Sequence, residues 1–217
     1  MKRALILLST CTLVACGTGR IKNTEQVKPT EAIVFGKLSV LTNKPIRKKS
    51  LEFLFNETFS GKYHIKPDDS GYFYMKLPLQ KNNMVRIGYS QNTNHIINIV
   101  KGYLSSTPTS PDTIYYAGDI TLDLRGIKHT TSGAATGGAA GGAVGGIIGA
   151  IADNNKKPQK PAVTIVETTA TVNFFRAKFP KNKRPVTTRL AIANPLATPP
   201  TKKKDHIRTE DIDRSFD

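Results

Sequence analysis

The 217-residue chain contains no tryptophan, and only 7% of its residues are aromatic. Past residue 16 it contains no cysteine, since Cys11 and Cys16 are the only two. That excludes a disulfide scaffold, a thiolate zinc finger and any thiol chemistry deeper in the chain. Acidic residues are scarce: 16 Asp and Glu stand against 32 Lys and Arg, a formal charge of +16. Such a balance selects anionic partners, and which anions depends on the compartment. Catalytic signatures are absent as well. No G-x-S-x-G elbow and no G-x-x-x-x-G-K-[ST] phosphate loop occurs. His64, His95, His129 and His206 are scattered without ligand spacing. Asp68 and Asp69 read as turn residues rather than a cation site, which would need more clustered oxygens. No catalytic residue, metal or cofactor is expected, and the chain is not read as an enzyme.

The N-terminus carries an address. Met1-Lys2-Arg3 is a short positive region, and residues 4–15 are mostly apolar but too short to span a bilayer as a permanent helix. The stretch closes with Leu13-Val14-Ala15-Cys16 before Gly17. This resembles a bacterial lipobox, and the bland alternative is a plain signal peptide with a chance cysteine. The resemblance implies a signal peptide at 1–15 and a diacylated Cys16 as mature N-terminus. It also implies outer-membrane sorting, because Gly17 rather than Asp follows. Acyl chains at one residue give stable anchoring, each buried CH₂ contributing about 0.8 kcal/mol. Removal of Lys2 and Arg3 with the leader leaves +14 on an exported chain. The expected polyanions are then lipid headgroups and envelope glycans (peptidoglycan, lipopolysaccharide or capsule), not nucleic acid. Residues 16–31 read as a tether, and the sandwich would face the periplasm or the cell surface.

Residues 32–126 read as a mainly β, antiparallel sandwich with one solvated face. Phe73, Met75 and Leu77 alternate with Tyr72, Tyr74 and Lys76; Ile120, Leu122 and Leu124 alternate with Asp119, Thr121 and Asp123. Val34, Leu38 and Val40, then Phe53 and Phe55, then Val85, Ile87 and Tyr89 give further runs of period two. The stretch from Asp68 to Pro78 fits D-x-x-G-x-F-x-x-x-L-P, and Gly118-Asp119-Ile120-Thr121-Leu122 fits a closing G-D-I-x-L strand. Together they resemble carboxypeptidase-regulatory-like, transthyretin-like domains of Ig-like shape. The resemblance implies a left-handed turn at Gly71, Phe73 in the core, and an accessory rather than catalytic role. Lys81-Asn82-Asn83 departs from the family's pattern after Pro78.

Gly133, Gly137, Gly141, Gly145 and Gly149 recur every four residues, and no charge occurs from 130 to 152. A G-x-x-x-G ladder lets helix backbones approach closely in lipid. Eight glycines in the segment each destabilise a helix by roughly 1 kcal/mol against alanine. The insertion at 130–152 is therefore either a flexible linker in water or a helix formed against a membrane or a partner. As a zipper it resembles glycine-zipper segments of surface-antigen-like lipoproteins. If the flanking parts belong to one sandwich, a single straight pass is excluded, leaving a hairpin or a surface-lying segment. Residues 162–190 read as a strand and a short helix packing on the sandwich. In that helix Val172, Phe175 and Phe179 would share one face, with a strand over 169–175 as the competing reading. Residues 191–217, with Lys202, Lys203 and Lys204, read as a disordered basic tail. The functional expectation is an outer-membrane-anchored structural or accessory subunit of an envelope assembly. Its partners would be the membrane through Cys16 and a second copy or an envelope protein through the zipper. The alternative is a binding module for anionic envelope glycans.

Overall fold

The computed structural model describes residues 26–47, 49–56, 63–127, 130–132 and 157–199. Two sheets pack face to face and one helix covers part of the first, so the mainly β sandwich expected from period-two patterning is what the chain builds. The strands are β1 (Glu31–Leu41), β2 (Glu52–Phe55), β3 (His64–Ile65), β4 (Tyr72–Pro78), β5 (Asn82–Ser90) and β6 (Asn94–Asn98). They continue with β7 (Leu104–Ser106), β8 (Ile114–Asp123), β9 (Thr130–Ser132) and β10 (Ala162–Val166). After β10 come α1 (Thr169–Lys178), β11 (Val186–Thr188) and β12 (Ile192–Ala193).

The first sheet runs β10-β8-β1-β4, with β11 sharing the β10 side of β8. The second runs β12-β7-β5-β2-β3, and β6 joins β5 beside β7 and carries β9. The antiparallel expectation holds for most pairs, but β1–β8 and β11–β8 are parallel. Parallel neighbours need a long crossover, and here β2 to β7 lie between β1 and β8 in sequence.

The core lies where the sheets meet. Ala32, Val34, Leu38, Phe53, Phe73, Leu77, Ile87, Tyr89, Ile97 and Leu122 are buried in one cluster. Gly71 takes φ +88°, and an added Cβ would stand 2.7 Å from Leu38 O, so the turn into β4 requires glycine. Gly118 takes φ +96° within β8, at the point where its outer neighbour changes from β11 to β10.

Three expectations need correction. The outer face of the first sheet is not uniformly solvated: Ile33, Phe35, Ile114 and Tyr116 form a second buried cluster with Phe175 and Phe179. The helix supplies the cover, which is why β1 is apolar on both faces until Lys37. Val85 does not share a face with Ile87 and Tyr89. A register shift against β2 pairs Phe55 with Met84 and Leu54 with Arg86, so Val85 joins Leu54 outside while Met84 enters the core. The start of the expected tail is folded. Ile192 and Ala193 pair with β7, Asn194 N donates to Tyr103 O at 2.6 Å, and Ala197 is buried. Residues 200–217 lie outside the described residues.

Candidate functional site

Helix α1 crosses the outer face of the first sheet. Its start is fixed by Tyr116, whose hydroxyl donates to Asp119 Oδ1 at 2.8 Å and accepts from Thr168 N at 3.0 Å. Phe175 then stacks on Phe35, and Phe179 meets Tyr74 edge-on at 5.0 Å. The period of Val172, Phe175 and Phe179 thus forms the expected helix, and the competing strand does not occur. Arg176 and Lys178 occupy the last turn, where positive charge complements the helix dipole.

Lys178 closes a small polar knot. Its Nζ donates to Asp68 Oδ2 at 3.2 Å and to Tyr74 Oη at 2.9 Å, while the Tyr74 hydroxyl donates to Asp68 Oδ2 at 2.9 Å. Asp68 Oδ1 accepts from the backbone N–H groups of Ser70 and Tyr72. Partial burial pushes the Asp68 carboxyl up, but these hydrogen bonds outweigh it and hold the group below the ordinary carboxylate range. Burial and the adjacent Asp68 charge raise the Tyr74 phenol. Outside the knot, Tyr72 stacks on Phe174 at 4.0 Å, and Lys37 lies 5.4 Å from the Tyr72 ring. Asp68 Oδ1 shapes the β3–β4 turn, while Asp68 Oδ2, Tyr74 Oη and Lys178 Nζ tie that turn to the helix, so the group acts as a latch.

Past the helix the chain turns through Pro180-Lys181-Asn182-Lys183-Arg184-Pro185. The Arg176 guanidinium donates to Asn182 O at 3.0 Å and to Arg184 O at 2.8 Å. Asn182 is buried, whereas Lys181 and Lys183 on either side are exposed. The turn thus presents two lysines from a fixed backbone. Lys181, Lys183 and Arg184 are visible as a basic cluster in the sequence; the guanidinium that shapes them is not.

A second charged group lies on the outer face of the other sheet. Glu52 is 2% exposed, with His64 Nε2 at 3.0 Å and Lys66 Nζ at 2.8 Å. His64 has no ligand-spaced partner in the sequence; the β2–β3 pairing brings it to this carboxylate. His95 stacks on Tyr89, and its burial lowers its pKa; burial also pushes the Tyr89 phenol up to about 12. Among the described residues no cluster of three or more His, Cys, Asp or Glu is arranged to hold a metal ion.

Asn82, 0% exposed, is the polar residue that sequence reasoning missed. Its Nδ2 donates to Pro78 O at 3.0 Å and to Gln80 O at 2.6 Å, and its Oδ1 accepts from Asn56 Nδ2 at 2.8 Å. Asn56, at φ +55°, accepts from Asn83 N through its own Oδ1. This side-chain capping shapes the turn that follows Pro78. Two consecutive asparagines after a proline turn were the available signal.

Cys16 and the ladder Gly133, Gly137, Gly141, Gly145 and Gly149 lie outside the described residues. What flanks the ladder is described: β9 belongs to the second sheet and β10 to the first, of one sandwich with one core. No described helix is long and apolar enough to cross a membrane. No protein-family model, no curated protein and no solved structure matches the chain.

Proposed function

We propose that the chain is an outer-membrane-anchored lipoprotein that acts as a structural or accessory subunit of a cell-envelope assembly. The anchor is the acylated Cys16, and the glycine segment is the contact with a second copy or an envelope partner. The reading rests on the ordered series of positive region, apolar run, small residues and cysteine in the first sixteen residues. It is supported by the way the ladder is mounted. Its two flanks, β9 and β10, belong to one sandwich, so the segment connects two strands of a single body.

Fractionation of cells expressing Cys16→Ser tests the anchor. Release from the membrane fraction is expected, and retention equal to wild type would sink it. Crosslinking of Gly141→Leu and Gly145→Leu tests the contact. Loss of the wild-type crosslinked species is expected, and an unchanged pattern would remove the zipper from the reading. Retention on isolated cell wall that is salt-sensitive and survives both glycine substitutions would favour a glycan-binding module instead.

A further inference from the structure

The strand register gives the sandwich two poles. At one, the chain enters β1: Glu31 pairs with Pro78, Ile33 with Ile114, and Ile114 with Val186. The 79–81 turn, the 107–113 loop and the 180–185 turn therefore gather around residues 26–30. Two hydrogen bonds fix this, from Leu79 N to Thr30 O and from Ile114 N to Pro185 O. Val27 packs on the cluster that contains Phe179 and Val186, so the entering chain is held against this end. At the other pole Lys37 pairs with Tyr72 and Leu41 with Asp123, and Arg47 N donates to Ser90 O.

The poles differ in how their cations are paired. The entry pole carries Lys28, Lys81, Lys181, Lys183 and Arg184, and none of the five is in an ion pair among the described residues. The acids described there are Glu31, which is buried, and Asp112. The far pole carries Lys37, Lys44, Arg47, Lys49 and Arg125, of which two are paired: Asp69 lies 3.8 Å from Lys49 and Asp123 binds Arg125 at 2.6 Å. Among the described residues, none of the exposed large apolar side chains (Leu41, Val166, Phe174, Leu190, Ile192 and Leu196) belongs to the entry-pole loops.

We propose that the entry pole lies against the anionic headgroups of the membrane that holds the anchor, and so orients the sandwich on it. The inference rests on the anchor reading. From residue 16 to Val27 the chain can span at most about 40 Å, so this pole is the part of the body that a lipid at Cys16 keeps near the surface. The Arg176-held turn fixes Lys181 and Lys183 toward that surface, so little chain entropy is lost on contact. Without apolar side chains to insert, the contact is electrostatic: it weakens with salt and by about fivefold for each cation removed.

The test uses the full chain in a Cys11→Ser background, reconstituted from detergent into phosphatidylcholine vesicles with or without phosphatidylglycerol. A fluorophore is placed at Lys81→Cys for the entry pole or at Lys44→Cys for the far pole. Quenching by headgroup-spin-labelled lipid is expected to be stronger at 81 than at 44 when phosphatidylglycerol is present. The difference should fall with salt and disappear with Lys181→Glu combined with Lys183→Glu, both exposed positions whose reversal should leave the melting temperature unchanged. Equal quenching at the two positions, or a difference indifferent to phosphatidylglycerol or to the reversals, overturns the proposal. So does lysine-dependent retention on isolated cell wall with no effect in vesicles. The mass of the residue-16 peptide from the same preparation reports the anchor separately. If that mass shows no acylation, the anchor reading fails. The pole is then read by flotation of the same chain with the anionic vesicles, where lysine-dependent binding supports the contact and absence of binding overturns it.

Discussion

Phe175 lies nearly face to face with Phe35, ring centroids 4.1 Å apart and planes 22° from parallel. The pair joins two parts of the chain 140 residues apart in sequence and is the centre of the helix–sheet contact. Phe175 is fully buried, whereas its neighbour Phe174 is 36% exposed, stacking on Tyr72 with Lys178 Nζ 5.5 Å from its ring. Phe175→Ala should therefore destabilise the protein by about 3–5 kcal/mol, the usual range for removing a buried phenyl ring. Phe174→Ala should cost much less. Denaturant unfolding of the two variants measures the difference, and equal losses would mean that α1 does not depend on this contact.

Asn82→Ala removes the Nδ2 donor that serves Pro78 O and Gln80 O and the Oδ1 acceptor for Asn56. Buried groups left without partners cost about 1–3 kcal/mol. Asn82→Asp keeps the shape and the Oδ1 acceptor but loses the amide donor toward two carbonyls, so it should be at least as destabilising at neutral pH. A loss well below about 1 kcal/mol would show that solvent satisfies the turn instead.

These two sites mark where the sequence is readable. Phe73, Met75 and Leu77, or Ile120, Leu122 and Leu124, are legible because each strand buries one face against the other sheet. Ile33 and Phe35 defeat that logic because the helix that covers them comes more than 130 residues later. Val85 defeats it because a bulge changes the parity inside one strand. Ile192 and Ala193 are too few to leave a periodic signal, and their place beside β7 is set by tertiary pairing. For the candidate site, the basic residues of the 180–185 turn are legible, but Arg176, Lys178 and Asp68 acquire their roles only when helix and turn meet.

Stability should fall in two steps as pH is lowered. His95 has a pKa below its ordinary value of 6.5 because burial disfavours the imidazolium. The unfolded chain therefore takes up this proton first, and stability begins to decline as pH drops below that value. Asp68 is likewise depressed from 3.8: burial opposes the shift, and its four hydrogen bonds outweigh it. Its contribution is complete above 3.8 and is lost as pH falls through the lower folded value. Urea midpoints from pH 8 to pH 2 should show the first decline removed by His95→Phe and the second reduced by Asp68→Asn. A profile unchanged by either substitution would show that the acid sensitivity comes from other groups.

The flanks of the glycine segment make a prediction that separates fold from function. Since β9 and β10 belong to one sandwich, residues 133–152 close a loop rather than join two bodies. Replacing them by a Gly/Ser segment of equal length leaves the loop-closure entropy nearly unchanged. Thermal and denaturant stability should then stay within about 0.5 kcal/mol of the parent, the range of substitutions remote from packing. A helix across the eight glycines would forgo roughly 1 kcal/mol at each, so it forms only where a lipid or protein surface compensates. The replacement should therefore abolish crosslinked species in membranes while sparing the fold. A stability loss of several kcal/mol on that roughly 1 kcal/mol-per-glycine scale would instead show that the segment packs on its own sandwich and is no free contact arm.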